Sequence, residues 1–137
     1  MSDADLDALF DAALAIRNKA YAPYSRYKVG AAIRATDGRM FVGCNVENAA
    51  YPVGTCAEAG AIAAMIAGGA NRIAMIAVVG STSDVCTPCG GCRQRIREFA
   101  DAQTVIVMAN DRGVERIRRS IDDILPLSFG PDHLPAR

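Results

Sequence analysis

Three cysteines and one glutamate are the residues of this sequence whose types and spacing could do chemistry. Cys56 and Glu58 lie two residues apart in Thr-Cys-Ala-Glu, and Cys89 and Cys92 follow in Pro-Cys-Gly-Gly-Cys. Three thiolates can bind one zinc ion and leave its fourth tetrahedral position to water, which is typical of a catalytic site. A carboxylate beside that water supplies the base that hydrolysis needs. The pattern therefore predicts a zinc-dependent hydrolytic enzyme.

Other interpretations of the cysteines remain open from these residues alone. A lone Cys-x-x-Cys also occurs in redox proteins, although thioredoxin-like motifs follow a first strand and have no third cysteine beside an acid. A structural zinc site would need a fourth protein ligand. The candidates for that ligand are Cys44, Cys86 and His133. Cys86 is the strongest of them because it lies only three residues before Cys89.

Both cysteine groups fall where helices are predicted to begin. Residues 56–67 form an apolar run that ends at two glycines, and residues 89–99 follow a proline. Helix N-termini favour thiolate over thiol, so two helices pointing at one site would help to stabilise three thiolates. Thr55 is the expected N-cap of the first helix, and Glu58 has the spacing of a capping box with it. Capping is thus the structural alternative to a chemical role for Glu58.

The remaining elements predict a layered α/β architecture. Amphipathic periodicity predicts a helix over residues 4–20, and Asp37-Gly38 predicts a hairpin turn. Further runs predict strands over 29–35, 40–44, 73–79 and 104–108 and a short helix over 121–125. The order α-β-β-α-β-α-β implies a sheet covered by helices on both faces. A length of 137 residues fits a single domain over residues 1–137.

Composition and charge exclude several classes of protein. The chain is 51% hydrophobic and 22% charged with zero net charge, so no global field attracts nucleic acid or anionic lipid. Seven arginines of the last third are interpreted as a solvated surface, since such runs are common on exposed helix faces: Arg93, Arg95, Arg97, Arg112, Arg116, Arg118 and Arg119. The apolar run at residues 59–67 is far shorter than the ~20 residues that span a bilayer. Five cysteines without a signal segment predict a cytoplasmic protein with no membrane partner.

The two cysteine motifs resemble the zinc signatures of cytidine deaminases, (His/Cys)-x-Glu followed by Pro-Cys-x-x-Cys. Three further blocks are similar to segments of the small homotetrameric members of that family, in the same order. They are APYSRYKVG at residues 22–30, NVENAAY at 45–51 and LPLSFGP at 125–131. The likeness runs from about residue 20 to residue 131. It implies a three-layer α/β/α sandwich with a mixed central sheet.

The resemblance also implies roles for the three cysteines and the glutamate of the two motifs. Cys56, Cys89 and Cys92 would bind Zn²⁺, and Glu58 would carry protons from water to the ring N3 and then to the departing amine. The implied reaction is hydrolysis of free cytidine and deoxycytidine to uridine and deoxyuridine in pyrimidine salvage. The alternative is deamination of a related aminopyrimidine nucleoside such as blasticidin S, or of cytosine or adenine in nucleic acid. A non-catalytic zinc-stapled module is a third hypothesis.

A set of substrate contacts follows from the same likeness. Its members are Tyr27, Asn45, Glu47, Asn48, Ala49, Tyr51, Ala57 and Phe129. Asn45 and Glu47 would hold the ribose 3′-hydroxyl, and the carboxylate would repel a phosphate there; a self-satisfied polar loop is the alternative. Tyr27 would pack near the base. Phe129 resembles an aromatic donated by a neighbouring subunit, which implies a homo-oligomer, a tetramer by family likeness, with a small nucleoside and no nucleic acid as its partner.

One position departs from the family pattern. Many relatives carry Arg immediately after Cys-Ala-Glu, where it hydrogen-bonds the zinc thiolates, whereas this chain has Ala59. Either another cation, for which Arg93 is the candidate, or backbone N–H groups would then balance the thiolate charge.

Overall fold

The computed structural model describes residues 2–136, and in this part of the chain it contains four α-helices and five β-strands. The helices are α1 (Asp3–Arg17), α2 (Ala57–Ala67), α3 (Gly90–Glu98) and α4 (Ile121–Ile124). The strands are β1 (Gly30–Ala35), β2 (Met40–Cys44), β3 (Ile73–Val79), β4 (Val105–Ala109) and β5 (Arg116–Arg119). The predicted domain of residues 1–137 includes one residue beyond the described part at each end. No helix of residues 2–136 has the length and apolar character needed to cross a membrane.

The five strands form one sheet in the order β2-β1-β3-β4-β5. β3 and β4 are parallel, with Ile76 opposite Ile106, and the other three pairs are antiparallel. The β1–β2 hairpin turns at Asp37-Gly38, where Gly38 has a φ of 93° that favours glycine. The predicted hairpin and the mixed central sheet are both confirmed.

Alternate side chains of the central strands enter two separate cores, as the period of two in a strand requires. On one face, Met75, Ala77 and Val79 of β3 pack in a cluster with buried residues of α1. On the other face, Ile76 and Val78 pack in a cluster that includes residues of α2, α3 and α4. Helices therefore cover both faces, and the predicted three-layer α/β/α sandwich is confirmed.

The packing of α2 against β2 fixes the position of the first cysteine motif. A Cβ atom added at Gly43 of β2 would lie 2.2 Å from the backbone nitrogen of Ala61 and 2.5 Å from the carbonyl oxygen of Ala57. Only glycine permits this close approach of strand and helix. The start of α2 is consequently held against the sheet by backbone contact.

Strand β5 was not predicted, because its Arg-Ile-Arg-Arg sequence was interpreted only as solvated surface. It is an edge strand in which only Ile117 packs against a core. The guanidinium of Arg116 lies 4.3 Å from the ring centroid of Phe10 and 2.8 Å from a carboxylate oxygen of Asp7. Charged residues are common on an edge strand, where one row of backbone groups faces solvent. Arg116, Arg118 and Arg119 are exposed, so their interpretation as solvated surface residues is confirmed, although they lie on a strand.

Candidate active site

The three cysteines of the two motifs meet at the N-terminal ends of α2 and α3. Cys56 is the N-cap residue of α2, Cys89 is the N-cap residue of α3, and Cys92 lies in the first turn of α3. Their Sγ atoms all lie within 4.8 Å of one another, and those of Cys56 and Cys89 are 4.0 Å apart. Tetrahedral zinc with Zn–S bonds of about 2.3 Å places two sulfurs about 3.8 Å apart. The cluster therefore fits a zinc ion.

The charges of the cluster also favour a cation. Burial raises the pKa of Cys56 and of Cys92, and the nearby carboxylate of Glu58 raises the pKa of Cys92 further. The pKa of Cys89 is lowered, chiefly because its sulfur accepts a hydrogen bond from the backbone N–H of Cys92. Three thiolates and a carboxylate repel one another at this distance, and a divalent cation between the sulfurs offsets that repulsion.

The candidates for a fourth protein ligand lie outside this cluster. Within residues 2–136 the only group of three or more His, Cys, Asp or Glu side chains close enough to share a metal is Cys56, Cys89 and Cys92. Cys86 is buried, and its Cβ atom and the Tyr27 hydroxyl both lie close to Gly80. The imidazole of His133 accepts a hydrogen bond from the backbone of Gly130 and stacks on Phe129. The donor set thus leaves a tetrahedral position for a non-protein ligand.

Glu58 lies in the first turn of α2, close to the three cysteines. It is only 4% exposed, and this burial raises the pKa of its carboxyl group. The predicted N-cap at Thr55 is wrong, because Thr55 pairs with Val46 through two backbone hydrogen bonds of 2.9 and 3.0 Å. The helix starts one residue later, at the N-cap Cys56, whose side chain makes no capping hydrogen bond. Glu58 therefore has no capping box and is available for chemistry.

A cavity of about 600 Å³ opens beside the sulfurs and Glu58. Six of the predicted substrate contacts line it: Tyr27, Asn45, Glu47, Asn48, Tyr51 and Ala57. Ala49 and Phe129 are not among its lining residues. Six lining residues were given no role from the sequence: Tyr24, Ser25, Val29, Val46, Gly54 and Thr87. Ser25 and Val29 lie inside the APYSRYKVG block, so their position in a matched motif was the signal that could have found them.

Asn45 and Glu47 face the same way along an extended segment. Val46 between them is bridged to Tyr21 on one side and to Thr55 on the other. The Asn45 side chain accepts a hydrogen bond from the backbone N–H of Val29 and donates one to a backbone carbonyl of the same loop, both at 2.8 Å. Asn45 thus ties the two loops that form this wall of the cavity.

The Glu47 carboxylate is held by the tip of the loop at residues 22–27. One oxygen accepts hydrogen bonds from the backbone N–H groups of Tyr24 at 3.0 Å and Ser25 at 3.1 Å. The other oxygen accepts from the Ser25 hydroxyl. These hydrogen bonds lower the pKa of Glu47 and keep its carboxyl group ionised, and the bond from the Ser25 hydroxyl has the largest effect. The Asx-type turn considered for this loop occurs at Asn48, whose side chain accepts from the N–H of Ala50 at 2.9 Å.

The two predicted aromatic contacts lie in different surroundings. Tyr27 is partly buried, which raises its pKa, and its hydroxyl passes close to Gly80, where an added Cβ would lie 2.2 Å from it. Phe129 is 58% exposed and stacks on His133 with 5.4 Å between ring centroids. Tyr27 therefore lines the cavity of its own chain, whereas Phe129 is not among the residues that line it.

Two arginines of α3 differ in what they contact. Arg93 donates to the backbone carbonyl of Pro88 at 2.8 Å and to that of Ile124 at 2.9 Å, so its guanidinium joins α3 to α4. It does not serve the thiolates as expected. Arg95, to which no such role was given, places Nη1 3.7 Å from the Sγ atom of Cys92.

Comparison with known proteins agrees with this geometry. A family model described as the cytidine and deoxycytidylate deaminase zinc-binding region matches residues 3–109. The cytidine deaminase of Mycobacterium tuberculosis strain H37Rv is 39% identical over 135 residues, which cover 98% of this chain and 97% of the relative. The cytidine deaminase of Sporosarcina psychrophila is 35% identical over 130 residues, 95% of each chain.

Solved structures show the same fold. The crystal structure of cytidine deaminase from Burkholderia pseudomallei superposes with a TM-score of 0.84 and 46% sequence identity. The match covers 90% of this chain and 98% of that one. The structure of the Mycobacterium tuberculosis enzyme superposes with a TM-score of 0.80 at 38% identity, covering 92% and 98%.

Proposed function

Because this chain belongs to the cytidine and deoxycytidylate deaminase zinc-binding family, we propose that it deaminates free cytidine and deoxycytidine by zinc-dependent hydrolysis. The products are uridine or deoxyuridine and ammonia. The observation that carries the proposal is the group of three sulfurs within 4.8 Å of one another beside a buried glutamate in a cavity. The cavity volume of about 600 Å³ lies within the range of small-molecule sites.

Cys56, Cys89 and Cys92 would hold the zinc, which would supply Lewis-acid activation of the attacking water at neutral pH. Glu58 accepts one proton from the water and donates it to the ring N3, which makes C4 electrophilic as the water oxygen bonds to it. Glu58 then takes the proton of the new C4 hydroxyl and passes it to the amine, so that the C4 carbonyl forms, the C4–N bond breaks and ammonia leaves. A buried carboxylate suits this double task because burial favours its neutral form relative to an exposed one.

Asn45 and Glu47 bind the ribose in this proposal. The ionised carboxylate of Glu47 accepts a hydrogen bond from the 3′-hydroxyl and repels a phosphate at the same place, so free nucleosides are preferred over nucleotides and nucleic acid. Tyr27 packs near the base. The remaining proposed contacts are Asn48, Ala49, Tyr51 and Ala57.

The protein acts as a homotetramer in this proposal, in which Phe129 of one subunit completes the cavity of another. The exposure of Phe129 and of Leu127 in the same segment supports this, since large apolar side chains at the surface often mark an interface. Size-exclusion chromatography with light scattering tests it. An active monomer would contradict the tetramer and leave the deaminase assignment untouched.

A cytoplasmic location and a role in pyrimidine salvage complete the proposal. Thiolate ligands must stay reduced to bind metal, which a reducing compartment ensures. Free nucleosides are the substrates that salvage enzymes recover, so the predicted preference for them supports that role.

The decisive experiment measures ammonia release and zinc content in wild type and in Glu58→Gln. We expect wild type to deaminate cytidine and the variant to lose about 10²- to 10⁴-fold in kcat while keeping its zinc. Glu98→Gln is the matched control, because it makes the same change in charge at an exposed residue of α3. This variant should have the activity and zinc content of wild type. Blasticidin S and a single-stranded oligonucleotide serve as the other substrates. A wild-type protein inert toward cytidine, or an undiminished Glu58→Gln, would overturn the proposal.

A further inference from the structure

Arg95 projects from α3 toward the thiolate of Cys92, three residues earlier on the same helix face. The distance from its Nη1 atom to Sγ is 3.7 Å, within reach of an N–H···S hydrogen bond. The guanidinium also passes Gly91, where an added Cβ would lie 3.4 Å from Nη1, an ordinary contact distance. The first turn of α3 thus places a guanidinium beside one sulfur of the cluster.

The cluster needs positive charge beyond that of the metal. Three thiolates with one Zn²⁺ carry a net charge of −1, and Glu58 adds to it when ionised. Ala59 beside Glu58 brings no charge, and Arg93 is occupied by two backbone carbonyls. The backbone N–H of Cys92 serves the sulfur of Cys89. Arg95 is the arginine that an observed contact joins to a thiolate of the cluster.

We propose, on the basis of the zinc site of the proposed function, that Arg95 is a positioning residue that tunes this site through Cys92. Its hydrogen bond withdraws electron density from the sulfur, so the thiolate donates less charge to the zinc and the ion stays more electrophilic. The same bond fixes the rotamer of the Cys92 side chain. The positive charge that Ala59 cannot supply on α2 comes in this proposal from Arg95 on α3.

Cobalt substitution separates this role from a structural one. We compare wild type, Arg95→Gln, Arg95→Lys and the charge-matched control Arg112→Gln, which changes an exposed turn residue. In the zinc enzymes, Arg95→Gln should lower kcat about 10- to 100-fold with little change in KM. In the cobalt(II) enzymes, its thiolate-to-metal charge-transfer band should move to lower energy, because the unbonded sulfur is a stronger donor. Arg95→Lys should lie between wild type and Arg95→Gln in both readouts, and Arg112→Gln should match wild type.

Each other outcome has a definite meaning. A lowered kcat in Arg95→Gln with an unshifted cobalt band would overturn the proposal, because a general structural defect would then explain the loss. Unchanged kcat and band would overturn it as well, and an Arg95→Lys band as far displaced as that of Arg95→Gln would show that the charge is irrelevant. Wild type that forms no thiolate–cobalt band would instead overturn the zinc site of the proposed function itself.

Discussion

The two ends of the cavity are built in different ways. The sulfur end, formed by Cys56, Glu58, Cys89 and Cys92, is carried by the starts of two helices that pack on the sheet. The sugar end, formed by the loops at residues 21–29 and 45–51, is held by hydrogen bonds between side chains of one loop and the backbone of the other. Helix packing fixes the sulfur end before any ligand binds. The sugar end instead depends on a few hydrogen bonds between loops, which can open locally.

The two carboxylates of the cavity show what this difference does. Burial at the sulfur end raises the pKa of Glu58, whereas hydrogen bonds from Ser25 and the backbone at the sugar end lower the pKa of Glu47. Environments that shift two carboxyl groups in opposite directions assign them different tasks. Glu58 is suited to transferring protons, and Glu47 to remaining an ionised acceptor. We therefore expect changes at the sulfur end to affect kcat and metal content, and changes at the sugar end to affect KM.

The largest effect is expected for Cys92→Ser at the sulfur end. Loss of the one ligand that is fully buried removes zinc, and without the metal water stays a poor nucleophile, so activity should fall on the order of 10³-fold or more. Zinc analysis of the purified variant and ammonia release from cytidine measure the two effects. Full zinc content with wild-type turnover would show that the sulfur end does not form the catalytic site.

Glu47→Gln should have the next largest effect, and it should act mainly on KM. The amide keeps the shape of the side chain but removes the charge that accepts the ribose hydroxyl, so KM for cytidine should rise about 10- to 100-fold. Zinc content should be unchanged and kcat should fall less than kcat/KM. Steady-state kinetics with cytidine measure this, and cytidine 3′-phosphate is the matched probe of charge, since Glu47→Gln should discriminate against it less than wild type. A fall in kcat with unchanged KM would contradict the separation of the two ends, because Glu47 would then act in the chemical step.

Ser25→Ala should give a smaller effect that depends on pH. The hydroxyl of Ser25 is the first cause of the lowered pKa of Glu47, so its removal should raise that pKa toward the ordinary value. Glu47 accepts a ribose hydrogen bond only when ionised, and protonation occurs as the pH falls. The rise of KM on acidification should therefore begin at a higher pH in Ser25→Ala than in wild type, with KM near neutral pH raised only about 2- to 5-fold. Superimposable profiles of KM against pH would show that Ser25 does not control Glu47.

The contrast between the two ends also explains what the sequence could reveal. The sulfur end was predictable because its ligands lie in two short motifs at helix starts, so local spacing carries the geometry. The partners of Glu47 at the sugar end lie 22 and 23 residues away in a loop, and no periodicity indicates that pairing. Family likeness predicted six of the residues that line the cavity, but not which of the lining residues hydrogen-bond to one another.

Three differences between prediction and structure have physical explanations: two are tertiary contacts that override a local preference, and one is the geometry of a helix. Thr55 is a good N-cap by residue type, but its pairing with Val46 delays the helix by one residue. The polar segment Arg116–Arg119 carries no strand signal of its own, but β4 offers it an edge to pair with. Arg93 is adjacent to Cys92 in sequence, yet the helix geometry directs Arg95 to the sulfur, because residues three apart share a face.

The smallest effect is expected for Cys86→Ser, which lies between the two ends. Cys86 lines the cavity near Tyr27, but its sulfur lies outside the group that can share a metal. Serine has a similar size and keeps a donor and an acceptor at this position, so the surroundings of Tyr27 should be little changed. Zinc content should be unchanged, and kcat and KM should stay within about 2- to 3-fold of wild type. Because Cys92→Ser makes the same chemical change six residues along the chain, the pair forms a matched test. Equal loss of zinc in both variants would mean a four-cysteine structural site, and the open coordination position on which hydrolysis depends would not exist.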